Sequence, residues 1–315
     1  VIEDLSLSST EVQWVQESYV LVFASLLLVW GSLADRYGRK LLLLVGIVIF
    51  VAASVWAGNT DSAEAMILAR VVQGIGGAMV LPTTLSLVNA NFEGKERGIA
   101  FAIWGATIGG MVAVGPVLGG WLATDFSWRW AFLINLPLGV IIIAGLMYFL
   151  GESKAEQRKG GIDWVGAIIS VVMFSTLVFG LIEGRVYGWW EQTKNQFELF
   201  GFVWPADTIS VIPVSLALSL IATVLFVLWE RKREAAQKNV LLDLNLFRIA
   251  SFRNGSIAAA IISMGEFGIL FAIPLWLQNV LGLSPISSGL VLLWLAGGAF
   301  VASGVGGALS GKLPA

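Results

Sequence analysis

Away from the ends of the long apolar runs, charged residues stand at Glu17 in 12–33, Arg70 in 65–88 and Glu266 in 254–281. A charge in hydrocarbon is costly unless it meets a partner or a water-filled cavity, so each is a candidate for handling charge. The chain has no histidine and no cysteine. Proton transfer near neutral pH therefore falls to carboxylates, and thiolate or disulfide chemistry is excluded. Glu266 lies about 12 residues into its run, near mid-bilayer, and is the first candidate for carrying a proton. Glu17 is the second, about a turn and a half inside its helix, with a plain interfacial position as the alternative. Arg70, about two turns inside, faces an insertion cost of roughly 2.5–3.5 kcal/mol. It is expected to face a central cavity and tune the ionisation of a carboxylate, Glu17 being the candidate in this chain. A snorkelling arginine near the surface is the alternative. No metal ligand set, cofactor site or hydrolase site is expected from these residue types.

The elements that position these groups are helices. Of 315 residues, 57% are apolar and 13% charged, and the mean hydropathy is +0.84, outside the range of soluble domains. Runs at 12–33, 41–58, 65–88, 98–123, 130–150, 163–184, 209–229, 254–281 and 285–310 are long enough to be membrane-spanning helices. The turn 34–40 carries Arg36, Arg39 and Lys40, which places it on the cytoplasmic side and makes its flanking helices antiparallel neighbours. Alternation then puts 89–97, 151–162 and 230–253 on the same side. With the C-terminal segment, these hold every Lys and Arg except Arg70, Arg129, Arg185 and Lys194. Trp14, Trp56, Trp128, Trp130, Trp164 and Trp229 fall at expected interfaces as an aromatic belt. Loop 185–208 is long and faces outside. Loop 230–253 opens with the solvated run Glu230–Glu234 and reads as a structural linker in which Leu241–Leu244 lies at the interface. The net charge of −2 argues against a nucleic-acid partner.

At an offset of 276 residues, Leu5, Leu7, Ser8, Val15, Val29, Gly31 and Leu33 recur as Leu281, Leu283, Ser284, Val291, Val305, Gly307 and Leu309. Transporter folds are commonly built from such repeats. Both ends, at Val1 and after Gly311-Lys312, read as cut. The run Gly306 to Lys312 imitates a phosphate loop, but Leu313 replaces the Ser/Thr and no strand precedes it.

Four motifs follow in order. Gly31-Ser32-Leu33-Ala34-Asp35-Arg36-Tyr37-Gly38-Arg39-Lys40 resembles the loop between the second and third helices of major facilitator transporters. Without that resemblance, a basic turn is only a topology signal. Arg70-Val71-Val72-Gln73-Gly74-Ile75-Gly76-Gly77-Ala78, followed by Pro82, resembles the family's fourth helix. Gly115-Pro116-x-x-Gly119-Gly120 resembles the antiporter signature of drug exporters, although Met111 replaces a glycine and Gly110 is displaced by one. Gly105/Gly109 and Gly115/Gly119 are also small-residue pairs expected to let helices touch. Trp128-Arg129-Trp130-Ala131-Phe132-Leu133-Ile134-Asn135-Leu136-Pro137-Leu138-Gly139 resembles a run of the fourteen-helix drug:proton antiporters.

The resemblance implies an all-α polytopic membrane protein of the major facilitator fold, with nine of fourteen spanning helices in this chain. Residues 1–150 would be an N-terminal half lacking its first helix, 151–253 a two-helix insertion, and 254–315 the start of the second half. The implied function is export of amphipathic, often cationic compounds in exchange for protons across a bacterial inner membrane. No enzyme activity is implied, and the partners are a small molecule, protons and lipid, with the oligomeric state open. A same-fold transporter of an amino acid, sugar or siderophore, or a membrane sensor that has lost transport, are the alternatives. By the same resemblance Asp35, Arg36 and Arg39 form a gating network, Gly31 sets helix distance and Gly38 makes the turn. At the 276 offset Glu266 answers a position about ten residues before the start of this chain, where by the same resemblance the family's first helix carries a membrane aspartate.

Overall fold

The computed structural model describes residues 4–5, 7–154, 161–199, 202–205 and 208–309. Val1, Glu3, Gly311, Lys312 and the side chain of Pro116 lie outside the described residues. The helices are α1 (Ser9–Tyr37), α2 (Arg39–Gly58), α3 (Ala63–Asn91), α4 (Gly94–Asp125), α5 (Trp130–Leu133), α6 (Asn135–Phe149), α7 (Trp164–Tyr187), α8 (Val211–Ala235), α9 (Ala250–Asn279) and α10 (Pro285–Leu309). Eight of the nine expected spans each fall on one helix, and seven segments among the described residues are long and apolar enough to cross a membrane, α4 and α10 not being among them. The expected span 130–150 divides between α5 and α6. Pro137 has no N–H to give the carbonyl of Leu133, which weakens the junction there.

The turn expected over 34–40 is shorter than its composition suggests. Asp35, Arg36 and Tyr37 continue α1, and Gly38 alone separates α1 from α2. Its φ of 131° and ψ of 130° suit glycine, so one residue reverses the chain.

The chain divides into two compact units, residues 1–84 with 136–244, and residues 85–135 with 245–315. In the first, α3 packs antiparallel to α2 through glycine. A Cβ on Gly76 would stand 2.6 Å from the Phe50 nitrogen and 2.7 Å from the Gly46 carbonyl oxygen. On the other side Gly74 and Gly77 meet Tyr19 and Phe23 of α1. With no hydrophobic drive between helices in lipid, this backbone-to-backbone contact is what holds them. Gly31 is less confined than expected, since a Cβ there would sit at an ordinary 3.5 Å from Pro82.

The long helices α7 and α8 run antiparallel. Ser219 donates to the Met173 carbonyl at 2.9 Å and Ser215 to the Thr176 carbonyl at 2.8 Å. α7 also lies antiparallel against α1, where the Ser175 hydroxyl donates to Ser25 at 3.1 Å. Loop 188–210 forms a folded cap with a two-stranded hairpin, β1 (Glu198–Leu199) and β2 (Phe202–Val203). Phe197 and Trp204 from this loop pack on Phe179, Tyr187, Val211 and Ile212.

In the second unit α4 packs against α10 and α9 against α10. The close approach is at Gly289 of α10 against Val117 of α4. Glycines 105, 110, 115 and 119 have open space where a Cβ would stand. Among the described residues these glycines do not make the expected helix contact. The repeat is visible in the caps. Ser8 accepts from the Glu11 N–H and Ser284 from the Ser287 N–H, the same positions at the 276 offset.

Gly76→Ala should therefore force α2 and α3 apart and cost about 1–3 kcal/mol, as overpacked sites do. Gly31→Ala should be tolerated. Thermal unfolding of the two variants in detergent tests the contrast.

Candidate functional site

At the Gly38 end of the first unit the charged turn is tied down by its neighbours. Arg39 donates from Nε and Nη2 to Asp35 Oδ1, at 2.8 and 2.7 Å. This pair bridges the single residue between α1 and α2. Gly38 gives α2 no side-chain cap. Glu152, just beyond α6, supplies one, accepting from the Lys40 and Leu41 N–H groups at 3.0 and 3.1 Å. Lys40 in return donates to the carbonyls of Met147 and Leu150 at the end of α6. Each helix end thus receives the charge that its unpaired backbone groups favour.

Beside this turn lies a cavity of about 450 Å³, lined in part by Gly31, Asp35, Arg36, Pro82, Asp163 and Asp243. The described parts of segments 34–40, 151–162 and 230–253, expected on one side from their cations, do meet here. Asp163 is buried and caps α7, accepting from the Gly166 N–H at 2.9 Å. It also accepts from Trp229 Nε1 at 2.9 Å and pairs with Arg233 Nε at 2.9 Å. Glu230, fully buried, accepts from the Leu241 N–H at 3.1 Å. Three expectations change accordingly. Arg233 and Glu230 belong to an internal network rather than a solvated run, and Trp229 anchors that network. Leu241 and Leu242 pack on the Met173, Ala222 and Phe226 cluster instead of lying at an interface.

At the opposite end of the unit, Arg70 is satisfied by α1 and by its own helix. Nε donates to the Val15 carbonyl at 3.0 Å, Nη1 donates to Gln73 Oε1, and the guanidinium lies 4.3 Å from the centre of the Tyr19 ring. Gln73 passes the chain on to Ser54 of α2 at 2.6 Å. The structure does not bring Arg70 and Glu17 together. At 100° per residue, positions 15 and 19 share a face of α1, while 17 is about 200° from 15 and points away.

Glu17 instead faces α7. It lines a small cavity of about 10 Å³ with Trp14, Leu21, Phe179, Ile182 and Glu183. Glu183 is 2% exposed. Sequence reasoning missed it because it sits one residue inside the expected end of its span, where an acid resembles a boundary. The usable signal was an acid three residues after Gly180, still within the apolar run 163–184.

Glu266 is exposed on α9, as are all described residues from Ile261 to Ile269. It belongs to the second unit, whereas Glu17 and Arg70 belong to the first. Arg36 lines the cavity with Asp35. No group of three or more acidic residues suited to a metal ion occurs among the described residues.

Residues 1–315 match the Major Facilitator Superfamily. The chain is 31% identical over 305 residues to the tetracenomycin C resistance and export protein of Streptomyces glaucescens, covering 97% of this chain and 53% of that protein. It is 31% identical to the methylenomycin A resistance protein of Bacillus subtilis, over 92% of this chain and 57% of the relative. It is also 31% identical to the multidrug resistance protein Stp of Mycobacterium tuberculosis, over 96% and 52%. The chain thus spans about half the length of these relatives.

Replacing Glu152 with alanine should loosen the start of α2 by about 1 kcal/mol, the usual value of a helix cap. Amide exchange at Lys40 and Leu41 should speed up by about fivefold. Unchanged protection there would show that Glu152 does not cap the helix.

Proposed function

The chain belongs to the major facilitator superfamily, and on that premise we propose that it is part of a secondary transporter exporting amphipathic, often cationic compounds in exchange for protons. The observation that carries this reading is its 31% identity, across 97% of the chain, to a protein named for antibiotic resistance and export. Membership makes it a multi-pass membrane protein of a bacterial plasma membrane, in a family of transporters. The drug substrate, the proton and the fourteen-helix form are parts of the proposal. The antiporter-like run at Gly115, Pro116, Gly119 and Gly120 supports export over import.

In this reading Asp35, Arg36 and Arg39 act as the gate. An ion pair spanning a one-residue turn transmits any movement of α1 directly to α2, because Gly38 leaves no slack. Arg70 holds α1 and α3 in register through the Val15 carbonyl and the Tyr19 ring. Its planar fork makes both contacts at once, which lysine does not reproduce. Glu266 remains a proton carrier in the proposal, as an acid mid-way along an apolar helix.

The test is drug export by the full-length transporter in inverted vesicles under an imposed pH gradient. Wild type should accumulate cationic and neutral amphipathic dyes and should ignore sugars and amino acids. Asp35→Asn should abolish accumulation while membrane insertion stays normal. Glu266→Gln should abolish gradient-driven export while dye binding persists in part. Accumulation of a single metabolite, with no response to dyes, would overturn the export reading.

A further inference from the structure

Glu17 and Glu183 come from two helices that sequence alone does not pair, and they meet in a site built for one small ligand. Their carboxyls are within hydrogen-bonding reach of each other. Oε2 of each is buried and has no hydrogen-bond partner. Glu183 is 2% exposed, so that oxygen is cut off from bulk water. The other lining groups of the cavity are Trp14, Leu21, Phe179 and Ile182. Its volume of about 10 Å³ is at the lower limit for one water molecule.

This chemistry selects the ligand. Two carboxylates that face each other out of water do not both remain charged. A metal cation of the hard class needs about six oxygen ligands, and four of the six lining residues are apolar. A proton needs only two oxygens, one to hold it and one to accept it.

Among the described residues, the neighbouring elements bring no cation to the pair. From α7 the Tyr187 hydroxyl shares the field of both acids. From α3 the Arg70 guanidinium is engaged on the other face of α1 by Val15, Tyr19 and Gln73. α2 has no titratable residue beyond Arg39 and Lys40 at its far end. α8, packed on α7, has its charged residues at the Asp163 end. Above the pair the cap closes over Phe179, with ring centres of Phe179 and Phe197 at 5.4 Å.

We propose that Glu17 and Glu183 form one proton-binding site between α1 and α7, holding a single shared proton while the two helices are packed and releasing it when they part. The proton moves from the shared carboxyl to water, leaving two carboxylates that repel and so disfavour repacking until one proton returns. This rests on the transport reading above for its biological use, but the site itself is a property of the packed helices. It makes α7 a working element of proton exchange rather than a spacer.

Two measurements on the purified full-length protein separate the site from the transport reading. The first is infrared difference spectroscopy in H2O and D2O, without substrate. Wild type should show a protonated-carboxyl C=O band at neutral pH that is lost in Glu183→Gln and in Glu17→Gln. A band unchanged in both variants would overturn the shared proton, whatever the protein transports. The second is dye export in vesicles. At an imposed gradient of about one pH unit, Glu183→Gln should lose about tenfold in accumulation, the factor that one exchanged proton supplies. Its export should become insensitive to external pH, while dye binding and thermal stability match wild type. Band loss with full pH-driven export would overturn the role in exchange and leave Glu266 as the carrier. Absence of export in wild type would sink the transport reading, with the infrared result still deciding the site.

Discussion

Inside a bilayer, a polar side chain has only the rest of the chain to turn to. That constraint organises the first unit. Asp163 answers a helix N-terminus, a tryptophan and an arginine at once. Arg70 is met by a backbone carbonyl, an amide and a ring. Serines on α7 and α8 donate across to carbonyls instead of to water. Lacking a strong hydrophobic drive between helices, the unit uses these bonds and the glycine contacts at Gly46, Gly74, Gly76 and Gly77 to fix its packing.

The two ends of the unit treat acid differently. At the Gly38 end Asp35 and Asp163 each have an arginine, Glu152 has a row of N–H groups, and Glu230 takes the Leu241 N–H. At the Glu17 end the acids face each other across an apolar void. One arrangement makes a clamp, the other a place where charge comes and goes. Both are built on α1, a rigid helix of 29 residues that links them.

Much of this was legible in the residues. Apolar runs located the long helices, because a backbone in lipid must satisfy its own polar groups over the whole crossing. The glycine run after Arg70 announced close packing, and α1 and α2 do press on it. What escaped is pairing between distant segments. Glu152 and Lys40 lie 112 residues apart and cap each other's helices through backbone atoms, which leave no trace in side-chain pattern. Glu183 looked like a boundary because the last turn of α7 runs on to Tyr187. The glycines of α4 looked like a contact seam, yet Gly105, Gly110, Gly115 and Gly119 stand open, and the close glycine contact with α4 among the described residues is that of Gly289 on Val117. Composition shows which residues could approach closely, but the partner's side chain decides which do.

The matching caps at Ser8 and Ser284 carry a further consequence. α1 and α10 both begin with a serine hydroxyl that accepts the amide three residues on. Along α10, the position answering Glu17 is Leu293. The two helices thus share their punctuation and differ in their message, an acid on one and hydrocarbon on the other. A helix start and a buried acid are separable features of a sequence, so likeness at the first turn says nothing about which helix can hold a charge two turns further in.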